Sequence, residues 1–147
     1  MSRINARRNA FNLIFQYDFI SVDEVESNKE TYFGENPDID EEDKKYILAT
    51  VDGTIENIAK IDEIISERAK GWTIERMSKV DLAILRLAVY EVVFSEDMPD
   101  SIAINEAVEL AKKYSSDEAP AFINGILGKL SQRWKYDSSK SIHSKSN

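Results

Sequence analysis

The chain has 147 residues, enough for one compact domain with a buried core, and its hydrophobic content of 42% favours a folded protein over a disordered one. It contains no cysteine, which excludes disulfide frameworks, cysteine-ligated metal centres and thiol nucleophiles and fits the reducing cytoplasm. The net charge of −8 argues against a nucleic-acid partner everywhere except at the two basic ends, residues 1–8 and 129–147.

The first predicted helix opens with a cluster of arginines. Ser2 is of the type preferred as an N-cap, and Arg3, Arg7 and Arg8 follow it with no acid between them. Arginine pairs bidentately with phosphate, and a helix start adds N–H groups that favour an anion. A phosphate-binding surface and an ordinary solvated helix end are both open interpretations of this segment. The apolar face of the helix is predicted from residues spaced by three, four or seven: Ile4, Phe11, Ile14, Phe15 and Phe19.

Two more helices are predicted in the first half of the chain. A short helix is expected around Asp23–Phe33, ended by the glycine and proline of residues 34–37. A long helix is expected from Asp40 to about Ala69, because apolar residues recur there at intervals of three and four. The acids around its start lack the glycine and the distal glutamate of a calcium loop, and they are interpreted as stabilising the helix N-terminus.

The second half is predicted to contain three helices. Ser78 resembles a capping residue ahead of Leu82–Phe94, a segment that is apolar almost all round and too short to span a bilayer. An amphipathic helix over residues 104–111 follows, and a last helix has Pro120 in its first turn and ends at about Trp134. Residues 135–147, rich in serine and lysine, are predicted to form a disordered tail.

The sequence offers no clear catalytic constellation. The single histidine, His143, lies in the predicted tail, where no neighbouring group would position it as a general base. The glycines Gly125 and Gly128 lack the spacing of a phosphate loop and are interpreted as allowing close helix packing. We therefore expect a protein that is not an enzyme and that holds no metal or cofactor.

Three segments of the second half carry distinctive motifs: Gly71-Trp72 with residues 80–91 (VDLAILRLAVYE), residues 99–112 (PDSIAINEAVELAK) and residues 122–127 (FINGIL). In their order and spacing these segments resemble the NusB family. The basic Ala6-Arg7-Arg8 stands where NusB proteins carry an arginine-rich motif. The resemblance covers about residues 3–134.

The resemblance implies an all-α fold of two three-helix bundles packed about a common core. It places a single domain over residues 1–134, with sub-bundles of about 1–71 and 72–134. It also implies a cytoplasmic, non-enzymatic transcription antitermination and elongation factor that is not bound to a membrane. NusB proteins pair with NusE, a small-subunit ribosomal protein. The pair binds boxA-type single-stranded RNA in ribosomal RNA transcripts and joins NusA, NusG and RNA polymerase.

The resemblance further implies two groups of RNA-contacting residues, one in the N-terminal segment and one at the start of the last helix. A phenylalanine in the second group could stack on a splayed base, although a plain core position is the alternative. Ala121 stands where some members of the family have lysine, and Ile4 and Asn5 stand where some continue with arginine. Because basic residues are missing at these positions, the RNA-binding surface is expected to be weaker, and more of the RNA affinity is expected to depend on the partner protein. The implied residues are Arg3, Arg7, Arg8, Gln16, Glu118 and Phe122.

Asp81, Arg86 and Glu91 fall on the strongest motif and are the implied contacts with the partner protein. For Arg86 and Glu91, an internal polar network is the alternative, because they are charges in an otherwise apolar helix. For the whole chain, the alternative is a helical module that binds only proteins. A third possibility, the leading domain of a ribosomal RNA cytosine methyltransferase, is disfavoured because the sequence has no glycine-rich cofactor-binding half and no catalytic cysteine.

Overall fold

The computed structural model describes residues 1–96 and 98–140, with side chains described as far as Leu130. Within these residues the chain forms seven α-helices, two 3₁₀ turns and one π-helical turn, and no strand. The all-α prediction is therefore confirmed. His143 and the rest of residues 141–147 lie outside the described part of the chain.

The chain divides into two compact units, and the first spans Met1–Glu56. Its helices are α1 (Arg3–Tyr17), α2 (Val25–Glu35) and α3 (Glu41–Glu56), with a 3₁₀ turn at Val22–Glu24. Helix α1 packs against both α2 and α3. Their facing side chains form the core of the unit: Ala6, Ala10, Phe11, Leu13, Ile14, Tyr32, Ile47 and Val51.

Short polar side chains fix where the helices of this unit begin. Ser2 Oγ accepts a hydrogen bond from the N–H of Asn5 at 3.1 Å, which confirms the predicted cap of α1. Asp40 Oδ1 accepts from the N–H of Asp43 at 2.8 Å at the start of α3. Both bonds satisfy backbone donors that have no partner inside their own helix.

The predicted apolar face of α1 is only partly correct. Phe11 and Ile14 are buried, but Phe19 is 61% exposed and Ile4 is 38% exposed. The helix ends at Tyr17, so Phe19 lies beyond the last turn and no longer follows the helical spacing. The small residues Ala6 and Ala10, which the pattern does not single out, are completely buried.

The second unit begins at Asn57. Its helices are α4 (Ile58–Arg68), α5 (Lys79–Val89), α6 (Asp100–Tyr114) and α7 (Ala119–Lys140). A 3₁₀ turn covers Ile74–Arg76, and a π-helical turn (Tyr90–Phe94) follows α5 directly. Helix α5 packs against α4, α6 and α7, and every residue from 82 to 89 is buried. This confirms that the apolar segment after Ser78 is the central helix of its half. None of the helices in the described residues is both long enough and apolar enough to cross a membrane.

The boundary between the units lies fifteen residues earlier than the sequence predicts, at 56/57 instead of 71/72. The single long helix expected from Asp40 to Ala69 is interrupted at Asn57, whose φ of −105° and ψ of 16° lie outside the α-helical region. Because the apolar rhythm continues through this break, periodicity alone does not reveal it. Helix α4 packs against α5 and α7, so the second unit contains four helices among the described residues and not three.

Helix α7 departs from its prediction in two ways. It continues to Lys140 instead of ending near Trp134, since neither glycine nor proline follows Gly128 to stop it. Residues 135–140 of the predicted tail belong to this helix, and its remaining residues lie outside the described part of the chain. The interpretation of the glycines is also wrong, because a Cβ built on Gly125 or Gly128 would meet nothing within 4 Å. They do not mediate close helix packing among the described residues.

Candidate nucleic-acid interface

Arg3 is the exposed arginine at the start of α1. Its guanidinium carbon lies 3.9 Å from the centroid of the Tyr46 ring, which is half-buried on α3. The cap at Ser2 fixes Arg3 in the first helical turn. A guanidinium stacked on an aromatic ring keeps its planar N–H edge available for an acceptor such as a carboxylate or a phosphate. The tyrosine therefore holds the Arg3 guanidinium in one orientation, and the predicted RNA role of Arg3 stays a prediction.

The first turn of α3 places acids in the same unit as this basic end. The Met1 ammonium donates a hydrogen bond to Asp43 Oδ2 at 3.1 Å, and this bond and the charge of Asp43 raise the pKa of the ammonium above its ordinary value. Glu41 and Glu42 are exposed in the same turn. These acids offset part of the positive field of the arginines, so an anion at this end would depend on short-range contacts.

Arg7 occupies a different position from the one that the sequence predicts. Its side chain is completely buried, with 0% exposure, on the same side of α1 as Ala6 and Ala10. A guanidinium that solvent cannot reach does not pair with a phosphate unless the helix moves. We therefore interpret Arg7 as a structural residue. Arg8 is half-buried and stays a candidate contact.

Gln16 lies one residue before the end of α1 and is half-buried. Its Oε1 accepts a hydrogen bond from Asn28 Nδ2 of α2 at 3.0 Å. The amide is thus held in one orientation by the neighbouring helix. This geometry suits a fixed polar contact, and the predicted RNA role of Gln16 stays a prediction.

In the second unit, Glu118 and Phe122 line one groove of about 370 Å³. Glu118 is exposed just ahead of α7, and Phe122 is half-buried one turn later. The Phe122 ring lies 5.8 Å from the Trp72 ring, centroid to centroid, at an interplanar angle of 66°. The structure thus brings both predicted residues of the second patch together. Other residues that line the groove include Trp72, Arg76, Ser78 and Asp81.

Two residues of this groove are missed by the sequence analysis. Trp72 is 47% exposed, and the Arg76 guanidinium carbon lies 5.4 Å from its ring centroid. Gly71 adopts a φ of +81°, which only glycine takes readily, and this turn after α4 places Trp72 at the surface. A tryptophan directly after a turn glycine is a signal for an exposed aromatic, but the sequence does not show that Phe122 lies beside it.

The model of the NusB family matches residues 4–132. The transcription antitermination protein NusB of Agathobacter rectalis is 44% identical over 130 residues, which are 88% of this chain and 99% of the relative. That of Acetivibrio thermocellus is 48% identical over 130 residues, or 88% of each chain.

This chain belongs to the NusB family. The resemblance carried by residues 71–127 is therefore confirmed.

Solved structures of the family have the same fold. T. maritima NusB superposes with a TM-score of 0.77 at 31% identity, covering 93% of this chain and 98% of that one. A crystal structure of antitermination factors NusB and NusE in complex with dsRNA gives a TM-score of 0.76 at 26% identity and covers 90% and 99% of the two chains.

The three partner contacts that the NusB resemblance implies have different surroundings. Asp81 is half-buried, and its Oδ1 accepts a hydrogen bond from Ser115 Oγ at 2.6 Å. Arg86 is 6% exposed and Glu91 is 2% exposed, so both belong to the interior of the unit. Arg86 donates from Nε and Nη2 to the two carboxylate oxygens of Asp62, at 2.9 and 2.8 Å. The internal polar network is the interpretation that this geometry favours for Arg86.

Proposed function

We propose that this chain is a non-enzymatic transcription antitermination factor that binds RNA together with NusE. The match to curated antitermination proteins over nearly their whole length is the observation that carries the proposal. The solved complex of NusB and NusE with dsRNA supports the two partners. For this chain the RNA is of the boxA type, single-stranded and located in ribosomal RNA transcripts. The complex of the chain, NusE and RNA joins NusA, NusG and RNA polymerase in the cytoplasm.

In this proposal, each of the two units contributes one surface that binds RNA. In the first unit the contacts are Arg3, stacked on Tyr46, and Arg8. In the second unit the contact is the groove that contains Glu118 and Phe122. Phosphate contacts to arginine supply affinity for any sequence, whereas an aromatic groove can distinguish unpaired bases.

The contribution of NusE follows from the charge of the chain. The net charge is −8, and burial of Arg7 leaves only Arg3 and Arg8 of the three N-terminal arginines accessible. Each phosphate neutralised on single-stranded RNA contributes about −0.7 to the slope of log affinity against log salt. Two contacts therefore give the isolated chain a slope near −1.4, which is a small electrostatic contribution. NusE is expected to add the remaining contacts.

The test is a titration of a boxA-type RNA with the chain, alone and with NusE, at several salt concentrations. Arg3→Ala and Arg8→Ala should each weaken binding and reduce the salt slope by about 0.7. Lys60→Ala is the matched control, since it removes the same charge from a side chain that is 61% exposed on α4. If the Arg3→Ala/Arg8→Ala double variant keeps the wild-type affinity and slope, this segment does not bind RNA, and the module that binds only proteins becomes the better interpretation.

A further inference from the structure

A narrow cleft lies between helices α2 and α3 of the first unit. On the α2 side it is lined by Glu26, Glu30 and Phe33, which share one face of the helix because they are spaced by three or four residues. On the α3 side the half-buried Leu48 forms the middle of the wall. The cleft measures about 260 Å³, below the range of roughly 300–1,000 Å³ that is usual for small-molecule pockets. It therefore suits one side chain of a partner better than a whole ligand.

Two side-chain contacts between the helices bound this cleft. Lys29 of α2 donates a hydrogen bond to Asp52 Oδ1 of α3 at 2.7 Å. Two helical turns away, about 12 Å along α3, the Lys44 ammonium lies 5.2 Å from the centroid of the Phe33 ring. Glu30 is exposed on the α2 wall, and it forms no hydrogen bond or ion pair with another described residue. An accessible carboxylate thus stands beside an aromatic ring that already holds a cation.

The charge around the cleft favours a cationic partner. Residues 9–56 contain thirteen acids, three lysines and no arginine. The Lys29 ammonium is shared by Asp52 and by Glu26, whose Oε1 lies 3.3 Å away, so this lysine adds little positive field. A phosphate would meet the carboxylate of Glu30 and the excess of acids. A basic segment of a protein is attracted by the same charges.

The aromatic ring favours arginine over lysine in such a segment. A guanidinium is planar, so it can stack on the Phe33 ring and pair through two N–H groups with the carboxylate of Glu30, one helical turn away. An ammonium is a compact point charge and lacks this combination of a flat face and a fork of donors. The Lys44 ammonium occupies the ring in the free protein and repels an incoming cation.

We propose that the cleft between α2 and α3 is a docking site for one arginine side chain of a basic protein segment. The stem of the arginine lies on Leu48, and its guanidinium stacks on Phe33 and pairs with Glu30. Lys44 leaves the ring and turns to solvent. This site goes beyond the proposed binding of RNA and does not depend on it.

The test titrates a nine-residue glycine–serine peptide that carries three arginines into the full, isotope-labelled chain and follows the backbone amide shifts by NMR. Matched peptides carry three lysines or three glutamates at the same positions. The arginine peptide should shift the amides around Phe33 and Leu48 and bind more tightly than the lysine peptide. The glutamate peptide should not bind. Added salt should weaken binding of the arginine peptide, because the charges at the cleft are partly exposed.

The decisive variant is Lys44→Ala, because it removes the cation that covers the Phe33 ring. Binding of the arginine peptide should tighten by about threefold, the size of an exposed charge interaction. Lys45→Ala is the matched control, since it removes the same charge from the next residue, which is exposed and does not line the cleft. Equal gains from both variants would mean that the peptide responds only to the net charge, and the docking site would be wrong.

A second pair of variants tests the carboxylate. Glu30→Gln should weaken binding of the arginine peptide by about threefold to fivefold. Glu35→Gln, at the exposed last residue of α2, removes the same charge from the same helix and should change the affinity less than twofold. Thermal unfolding of all four variants verifies that the fold is kept.

Three results would overturn the docking site and leave the proposed function untouched. Equal affinities of the arginine and lysine peptides would show that the Phe33 ring selects nothing. If a single-stranded RNA of mixed sequence shifts the same amides, the cleft belongs to RNA. If these amides shift when the concentration of the chain alone is raised, the occupant is a second copy of the chain.

Discussion

At the scale of single residues, burial separates arginines that look alike in the sequence. Arg3 is exposed on Tyr46, Arg7 is completely buried, and Arg86 is held by Asp62 through two hydrogen bonds. A buried guanidinium needs its partners, because removing one leaves a charge without full compensation. Arg86 is therefore a residue on which the stability of the second unit depends.

We expect Asp62→Ala to lower the free energy of unfolding by about 3 kcal/mol, the lower end of the cost of breaking a buried ion pair. The Arg86 and Asp62 side chains are 8% and 26% exposed, so solvent screens the pair little. Urea unfolding at neutral pH measures the change.

The matched control lies on the same helix. Lys60 and Glu63 form a pair at 3.4 Å with side chains that are 61% and 62% exposed. Glu63→Ala should therefore cost less than about 1 kcal/mol. Equal effects of Asp62→Ala and Glu63→Ala would contradict the structural role assigned to the Arg86 pair.

At the scale of elements, the glycines of the second unit have different structural roles. Gly71 has a φ of +81°, which allows the turn between α4 and Trp72. Gly125 and Gly128 lie inside α7, where a Cβ would meet open space. A helical glycine with room for a side chain costs stability, because glycine loses more backbone entropy on folding than alanine.

Gly125→Ala and Gly128→Ala should each raise the free energy of unfolding by about 0.5–1 kcal/mol. Gly71→Ala should lower it by at least a similar amount, about 1 kcal/mol, because alanine is strained at positive φ. Thermal and urea unfolding of the three variants measure both directions. A loss of stability in the α7 variants would show that these glycines are packed after all.

At the scale of the whole molecule, the charge distribution bears on the proposed binding of RNA. The net charge is −8, and acids occupy the first turn of α3 in the unit that contains Arg3. Fields from exposed charges decay over a Debye length of about 8 Å at physiological salt. If RNA binds at the arginines as proposed, only acids near them can weaken the binding.

Glu42→Gln should strengthen RNA binding about twofold at low salt, because it removes a negative charge from the turn that holds Met1 and faces the basic end. The gain should vanish as salt is raised. Glu56→Gln is the matched control, since it lies at the other end of the same helix, about 21 Å away at 1.5 Å per residue. An equal gain from both variants would mean that net charge, and not local position, controls the affinity.

The sequence by itself determined the helical class, the family and the caps. The apolar residues of α5 recur on every side, and Ser2 and Ser78 are of the residue type that caps helices, so local chemistry was enough. Residues 71–127 were enough to identify the family, because their motifs follow one another in an order that is specific to it.

Only the tertiary structure decided which of the predicted residues reach the surface. Arg7 and Arg8 are neighbours in the sequence, yet one is buried and the other is half-buried, because packing of α1 against α2 and α3 depends on side chains far along the chain. The break at Asn57 was hidden by a continuous apolar rhythm. Trp72 and Phe122 are 50 residues apart, and only the fold of the second unit brings their rings within 5.8 Å. A pattern in the sequence reports local periodicity, whereas a binding groove is made by long-range contacts.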